Sequence, residues 1–142
     1  MRRTTLIIVL MIFVGCTPKA KPIAYGETAC HYCSMTIVDQ QHAAQLVTKK
    51  AKVIVFDAAE CMLNHLQNED QSKFAMFFVN DFDQPGSLID ATKATYLISK
   101  GIPSPMGEYL SAFKLPESAE KSLNSYGGTI LTWNELQTRF KK

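Results

Sequence analysis

The sequence has almost no net charge that could attract a charged partner. It contains 15 Lys and Arg residues against 13 Asp and Glu residues, which gives a formal charge of +2. The excess comes from Arg2 and Arg3, so the chain from Cys16 onward is neutral. It also lacks a stripe of basic residues interleaved with aromatic ones. We therefore do not expect a nucleic-acid partner bound through phosphate contacts.

No apolar run in the sequence is long enough to cross a membrane. The longest, residues 6–14, has nine members, whereas a spanning helix needs about 20. It follows the basic start Met1-Arg2-Arg3, and this order is typical of a secretory signal peptide. The twin arginines lack the extended consensus of a Tat signal, so we expect export by the Sec route.

Cys16 ends the signal segment in a way that predicts lipidation. Phe13-Val14-Gly15-Cys16 is similar to a bacterial lipobox, with Phe13 where Leu is usual. We expect residues 1–15 to be a lipoprotein signal peptide and Cys16 to carry acyl chains that anchor the protein to a bacterial membrane. Residues 16–24 would form the lipidated tether, and the domain, residues 25–142, would face the periplasm. The alternative is an ordinary signal peptide with an incidental cysteine.

Apolar periodicity predicts an α+β fold. The predicted strands are residues 42–48, 53–56, 73–79, 95–99, 109–113 and 129–131, and the predicted helices are residues 57–67, 116–126 and 133–140. Asp57 is expected to cap the first helix, with Glu60 reaching back to it. Residues 80–87 are expected to be a polar loop, and residues 88–94 a linker to the strand that begins at residue 95. Apart from the last helix, the order ββαβ occurs twice. This predicts two small similar units, residues 25–80 and 88–142, which pack together because each is too small to be stable alone.

Cysteine is scarce, but its placement is informative. The sequence has four cysteines. If Cys16 carries lipid, Cys30, Cys33 and Cys61 remain, an odd number outside the cytoplasm. The stretch Cys30-His31-Tyr32-Cys33-Ser34-Met35 combines two thiols, a thioether and an imidazole. Because thiolate and thioether ligands together favour Cu(I), the sequence predicts a Cu(I) site with few ligands and an open edge for transfer.

Three other interpretations of these cysteines remain open. A disulfide between Cys30 and Cys33 would leave Cys61 as a small buried side chain. Cys30 and Cys33 also have the CxxC spacing of a thiol–disulfide oxidoreductase, although no apolar helix is predicted after Cys33. Cys61 and His65, one helical turn apart, would complete a structural zinc site with the other two thiols. A c-type haem site is excluded, because Ser34 stands where Cys-x-x-Cys-His requires histidine.

Copper also explains Met35, which the alternatives do not use. In an extended segment, Cys33 and Met35 would point the same way and could reach one ion. Met106 is the second thioether of interest, because Pro105 and Gly107 hold it in a stiff loop. The sequence therefore singles out Cys33, Met35 and Met106 as soft donors.

The remaining methionines and histidines have ordinary explanations. Met62 and Met76 lie at helix and strand spacings and are expected in the core. His42 is expected at the surface, and His65 is expected to be structural rather than a ligand. His31 is equally consistent with a ligand and with an exposed loop residue.

Short motifs in this chain resemble those of the NosL family of copper-binding bacterial lipoproteins. Each motif is short, but their ordered combination over nearly the whole mature chain is specific. The matching pieces are Gly15-Cys16, Cys30-His31-Tyr32-Cys33-Ser34-Met35, Phe56-Asp57, Glu60-Cys61-Met62, Val79-Asn80-Asp81-Phe82, Ile89-Asp90-Ala91, Lys93-Ala94, Ser104-Pro105-Met106-Gly107, Ala112-Phe113 and Gly127-Gly128. Ser34 replaces a glycine common in the family, and Leu88 stands where Trp is common. Neither departure removes a donor.

The resemblance implies a fold and a role. The fold would be two homologous ββαβ units, similar to organomercurial lyase, and the protein would be a Cu(I) chaperone rather than an enzyme. The resemblance implies Cys33, Met35 and Met106 as ligands and leaves the role of Cys30 open. It also implies partners: nitrous oxide reductase and an ABC-type membrane complex that assembles the copper–sulfide centre of that enzyme.

Overall fold

The computed structural model describes residues 17–141. The predicted signal peptide and Cys16 therefore lie outside the described residues. The strands are β1 (Ala44–Thr48), β2 (Val53–Phe56), β3 (Phe74–Asp81), β4 (Gln84–Asp90), β5 (Thr95–Ile98), β6 (Leu110–Phe113) and β7 (Thr129–Leu131), and the helices are α1 (Ala59–Leu66), α2 (Pro116–Tyr126) and α3 (Trp133–Phe140). None of these helices has the length and apolar character needed to cross a membrane.

The two halves of the described chain have the same topology. In the first sheet the strand order is β2-β1-β3-β4, so β1 lies between β2 and β3. In the second sheet the order is β6-β5-β7, with β5 in the centre. All pairings are antiparallel, and α1 and α2 fall at the same place in each ββαβ unit. The predicted α+β fold of two similar units is confirmed.

The bounds of α2 follow from its proline and glycine. Pro116 occupies the first turn, where a backbone N–H has no helical partner to lose. Gly127 ends the helix with a φ of 68°, and its N–H donates to the Leu123 carbonyl at 2.7 Å. A residue with a Cβ would adopt this left-handed conformation only with strain.

Two local predictions are wrong. Residues 84–90, expected in a loop and a linker, form β4, which pairs with β3 at Val79–Ile89 and Asn80–Leu88. β4 is an edge strand whose first half is exposed, so it lacks the apolar alternation that marks a half-buried strand. Helix α1 begins at Ala59, with Ala58 rather than Asp57 at the N-cap and no side-chain cap. The Glu60 carboxylate is instead directed into the interior.

The two halves share their largest core. The largest cluster of buried side chains draws Leu46 and Met62 from the first half and Tyr96, Leu110 and Leu136 from the second. Met62 is fully buried, as predicted, whereas Met76 is 36% exposed because the beginning of β3 faces solvent. Since apolar surface from both halves is buried together, neither half is an independent unit.

His42, expected at the surface, is 5% exposed and joins the two halves. Its Nδ1 lies 2.9 Å from Asp39 Oδ2, and its Nε2 lies 3.2 Å from the hydroxyl of Ser111 on β6. These three residue types also form hydrolytic triads, but Ser111 is 1% exposed and is closed to a substrate. The bonds therefore hold β6 against the segment that precedes β1, and a partner this distant in the chain could not be predicted locally.

The domain begins earlier than predicted. The Lys21 N–H donates to Gln45 Oε1 at 2.9 Å, and Gln45 Nε2 donates to the Lys21 carbonyl at 2.8 Å. Gln45 is fully buried, and Ile23 is 9% exposed and belongs to the core. The chain is thus fixed to β1 from Lys21 onward, which shortens the free part of the predicted tether.

Candidate metal centre

A closed turn carries two of the thiols. The Cys30 N–H donates to the Met35 carbonyl at 2.8 Å, and the Ser34 N–H donates to the Cys30 carbonyl at 3.0 Å. Ala29 and Thr36 pair across the base of the turn. Ser34 has a φ of 64°, a left-handed conformation that glycine adopts without strain. This conformation gives a physical reason for glycine to suit the position better.

The first sheet and α1 bring the third thiol to this turn. The His31 N–H donates to the Val55 carbonyl on β2 at 3.0 Å, which fixes the turn to the sheet. Helix α1 follows β2 closely, and its first amide, that of Ala59, donates to the His42 carbonyl at 3.0 Å. Cys61 lies in the first turn of α1 and is fully buried. Cys61 therefore approaches the turn from the inside of the protein.

Three thiols meet at this point. The Sγ atoms of Cys30, Cys33 and Cys61 all lie within 4.8 Å of one another. All three are free thiols, so the disulfide considered above is not formed. With metal–sulfur bonds of about 2.3 Å, three thiolates around one ion lie about 4 Å apart, so only small shifts are needed to share an ion. Cys30 and Cys61 are buried and Cys33 is half-buried, so the cluster opens to solvent at Cys33.

The three thiols differ in acidity. A hydrogen bond from the Cys61 thiol lowers the pKa of Cys30 to about 4, against the effect of burial. The same bond raises the pKa of Cys61, which keeps its proton. Burial raises the pKa of Cys33. At neutral pH the cluster presents one thiolate flanked by two thiols, and a thiolate is the form of cysteine that binds a metal.

The two candidate thioethers differ in their exposure to solvent. The Met35 side chain is 47% exposed. Because Ser34 is left-handed, the segment from Cys33 to Met35 is not extended, and the strand argument that aligned these two side chains does not hold. Met106, in the loop between β5 and β6, is partly buried and packs against the same core cluster as Cys33.

A buried carboxylate holds the loop that carries Met106. Glu60, on α1, is fully buried. Its Oε1 accepts hydrogen bonds from the Ser104 hydroxyl and, at 3.4 Å, from the Leu110 N–H. The Ser104 oxygen in turn accepts the Tyr109 N–H at 2.9 Å. Oε2 of Glu60 has no hydrogen-bond partner within the described chain, and burial raises the pKa of this carboxyl.

His31 and His65 lie against each other, beside the thiol cluster. Their ring centroids are 5.1 Å apart at an interplanar angle of 90°, and both rings pack near Phe56. Burial lowers the pKa of His65. Among residues 17–141, the group of donor atoms within 4.8 Å of one another consists of the three cysteines and no histidine. A four-ligand zinc site that includes His65 is therefore not assembled.

The geometry also weighs against a thiol oxidoreductase. In such proteins the CxxC motif begins a helix whose N-terminus stabilises the first thiolate. Here residues 31–33 form a turn, and the next helix, α1, begins only at Ala59. Cys30 has the lowered pKa of a reactive thiol, but at 3% exposure it is closed to a dithiol substrate.

Sequence reasoning missed the supporting role of Glu60 and Ser104. The spacing of Asp57 and Glu60 matches a capping box, which gives Glu60 a local partner in the sequence and hides the distant one. One signal was available, because the neighbours of Glu60 on both sides, Ala59 and Cys61, are apolar. A glutamate flanked in this way on a short helix is a candidate for burial.

Comparisons with known proteins agree on one family. The NosL family model matches residues 23–140. The copper-binding lipoprotein NosL of Stutzerimonas stutzeri is 30% identical over 149 aligned residues, which cover 93% of this chain and 78% of that protein. The crystal structure of the copper chaperone NosL from Shewanella denitrificans is similar in fold, with a TM-score of 0.73 at 24% identity over 84% of this chain and 96% of that one.

Proposed function

The chain belongs to the NosL family, and on that premise we propose that it is a lipid-anchored copper chaperone that holds Cu(I) and passes it to an acceptor protein. The observation that supports this most directly is the group of three free thiols within 4.8 Å of one another. Two similar proteins are named a copper-binding lipoprotein and a copper chaperone. Holding and transferring an ion needs no catalysed reaction, so the proposed protein is not an enzyme.

The donor types favour the monovalent ion. Thiolate and thioether sulfur are soft ligands and select Cu(I), whereas carboxylate and water suit harder cations. The close group of donors contains three thiols. Of the two thioethers, Met35 follows Cys33 by two residues in the chain, and Met106 packs against the same core cluster as Cys33. One thiol is already a thiolate at neutral pH, which gives the ion a charged partner.

In this proposal Cys33 is the central ligand. It is the half-buried thiol of the cluster, and it lies between the buried sulfurs and the solvent. Met35 and Met106 complete the ligand set on the outer side, while Cys30 and Cys61 provide additional thiols on the inner side. His31 and His65 lie outside the group of thiols and are left out of the set.

Transfer would proceed by ligand exchange at the exposed side. A closed four-ligand cage offers an incoming ligand no free position. Met35 is 47% exposed, so an acceptor's own ligand can replace its thioether while the thiols still hold the ion. Exchange in this order never releases free copper.

The proposed destination is nitrous oxide reductase, reached through an ABC-type membrane complex that assembles its copper–sulfide centre. Acyl chains on Cys16 would anchor the protein to a bacterial membrane, with the domain in the periplasm. Because the chain is fixed to β1 from Lys21 onward, only residues 17–20 would remain free between lipid and domain. At about 3.5 Å per residue at most, this short tether would hold the copper site near the membrane surface.

A competition titration tests the binding site. The reduced protein is titrated with Cu(I) against a strong chelator, and we expect one ion per chain. Cys33→Ala should weaken binding by about 100-fold or more, and Met35→Leu by about 10-fold, since each removes a ligand. Met76→Leu is the matched control, because Met76 is also exposed but lies on β3. Parental affinity in Cys33→Ala would show that the ligand assignment is wrong.

A cellular experiment tests the destination and the anchor separately. In cells that lack this protein, nitrous oxide reductase should still be made but should lack its copper–sulfide centre. The parent should restore the centre and Cys33→Ala should not. Cys16→Ser should release the protein from the membrane fraction. A fully assembled centre in the deleted cells would exclude the proposed destination while leaving copper binding intact.

A further inference from the structure

Glu60 is a buried carboxylate that fold stability does not explain. It is fully buried, and the ion pairs found among the described residues do not include it. Burying a carboxylate without a cationic partner is unfavourable, and an apolar side chain of similar size would avoid the penalty. One of its oxygen atoms also lacks a hydrogen-bond partner in the described structure. A buried polar group with such a cost points to a functional role.

The other oxygen of the Glu60 carboxylate, Oε1, accepts hydrogen bonds from both ends of the loop of residues 104–109. Glu60 Oε1 accepts the Ser104 hydroxyl at the beginning of this loop and the Leu110 N–H just after its end. Within the loop, the Gly107 N–H donates to the Ser104 carbonyl at 3.0 Å. Glu60 therefore fixes both ends of the loop to helix α1, and Met106 lies between these ends.

The backbone of this loop contains two residues in the left-handed conformation, one of which is strained. Gly107 has a φ of 75° and Tyr109 a φ of 62°. For tyrosine this left-handed conformation is strained, and it persists only where the surroundings enforce it. The Tyr109 N–H donates to the Ser104 oxygen at 2.9 Å, and the hydroxyl of that same serine donates to Glu60. The two hydrogen bonds form a relay from α1 to the strained residue.

The same helical turn faces the thiols. Cys61 follows Glu60 directly, and its sulfur lies within 4.8 Å of those of Cys30 and Cys33. Two neighbouring positions on α1 thus contact the thiol cluster and the Met106 loop.

We propose that Glu60 is a positioning residue of the copper site, which acts through Ser104 to hold the loop of residues 104–109 so that Met106 faces the ion. This inference rests on the proposed role of Met106 as a ligand. Glu60 touches no copper in this account. Glu60 instead orients a residue that binds the metal. Loss of such an orienting residue typically weakens metal affinity by about 10- to 100-fold.

The test is a double-mutant cycle on Cu(I) affinity. The parent, Ser104→Ala, Met106→Leu and the double variant are titrated against a chelator. We expect each single substitution to weaken binding by about 10-fold, and the double variant to bind no more weakly than Met106→Leu alone. Ser104→Thr, which keeps the hydroxyl, should retain parental affinity, and Ser118→Ala on α2 serves as a control. Parental affinity in Ser104→Ala, or losses that multiply in the double variant, would overturn the proposal.

Hydrogen exchange in the copper-free protein tests the positioning independently of binding. The Gly107 and Tyr109 amides should exchange faster in Ser104→Ala than in the parent. They should remain slow in Glu60→Gln, whose amide oxygen still accepts from Ser104. Unchanged exchange in Ser104→Ala would refute the positioning role even if copper binding is normal.

The outcomes separate this inference from the proposed function. Should the parent bind no copper, the proposed function fails, whatever the exchange data show. Should the parent bind copper and Met106→Leu bind it equally well, Met106 is no ligand and the positioning role is overturned, while binding by the thiols stands.

Discussion

The sulfur atoms of Cys30 and Cys61 lie within 4.8 Å of each other, although one belongs to the turn before β1 and the other to helix α1. The Cys61 thiol donates a hydrogen bond that lowers the pKa of Cys30 to about 4. A buried cysteine on a helix is thus the largest cause of the low pKa of a cysteine in a loop, and backbone hydrogen bonds from Cys33 and Tyr32 lower that pKa further. The acidity of Cys30 therefore depends on the fold as well as on the CxxC motif.

Removal of Cys61 should therefore make Cys30 less acidic. In Cys61→Ala the donated hydrogen bond is lost, so the pKa of Cys30 should rise from about 4 toward the usual value for a thiol. The thiolate absorbance in the ultraviolet, followed as a function of pH, measures this change. Cys61→Ser, which retains a donor, should give an intermediate value. An unchanged titration curve in Cys61→Ala would show that the Cys61 thiol is not the cause.

Copper affinity should fall as the pH falls. Burial raises the pKa of Cys33, so this thiol carries a proton at neutral pH that the ion must displace. For each proton that copper binding releases, the affinity should fall by up to about tenfold when the pH falls by one unit. Cys30, with a pKa of about 4, contributes no slope near neutral pH.

The size of that slope distinguishes two ligand sets. Release of one proton indicates that Cys33 alone loses its proton. Release of two indicates that Cys61, whose pKa is raised by its bond to Cys30, also joins the ion. Affinity measured between about pH 6 and pH 8 decides between them. A flat profile would show that Cys33 is not a ligand.

Ser34→Gly should stabilise the protein without loss of copper binding. Ser34 has a φ of 64°, where a Cβ costs about 1–2 kcal/mol. Glycine removes this cost, but part of the gain is offset because glycine has greater conformational freedom in the unfolded chain. We therefore expect a net increase of about 0.5–1 kcal/mol in the free energy of unfolding. Chemical denaturation measures it. Ser34→Ala keeps the Cβ and should give no increase, so equal gains in both variants would argue against backbone strain as the cause.

Glu60→Gln should change how stability depends on pH. Burial raises the pKa of Glu60 in the folded protein above its unfolded value. Its contribution to stability is therefore fully present below the unfolded pKa and is lost as the pH rises through the folded pKa. The variant cannot ionise, so its stability relative to the parent should grow with pH over this range, by at most about 1.4 kcal/mol per pH unit.

Denaturant unfolding of both proteins from about pH 4 to pH 8 measures this difference. The neighbouring acidic groups, including Asp57, titrate in both proteins and cancel in the comparison. A difference that does not vary with pH would mean that Glu60 has the same pKa in the folded and unfolded states.

Local pattern was sufficient for most of the fold. The β-rich run of β2 and the proline and glycine at the ends of α2 are encoded by neighbouring residues, and these elements form where predicted. β4 was missed because its exposed beginning has no apolar alternation. The sequence predicts a first helix that begins at Asp57, because the spacing of Asp57 and Glu60 imitates a capping box. In the structure the helix begins at Ala59, and the Glu60 side chain is buried instead of reaching back to the cap.

The candidate site divides in the same way. The CxxC spacing and Met35 are visible in six consecutive residues, and the ordered motifs identify the family without any structure. Whether Cys61 joins Cys30 and Cys33 could not be read from the chain, because α1 must first pack on the sheet to bring it there. The burial of Glu60 and of His42 was hidden for the same reason, since both bond to residues of the other half.

The sequence by itself determined the donor chemistry, the family and the repeated ββαβ order, because side-chain types and short-range periodicity are properties of neighbouring residues. Only the tertiary structure decided which of the donors meet, which thiol carries the charge, and which loop the buried carboxylate holds. These depend on burial and on hydrogen bonds between segments far apart in the chain. Such contacts form only when the two halves close on their common core.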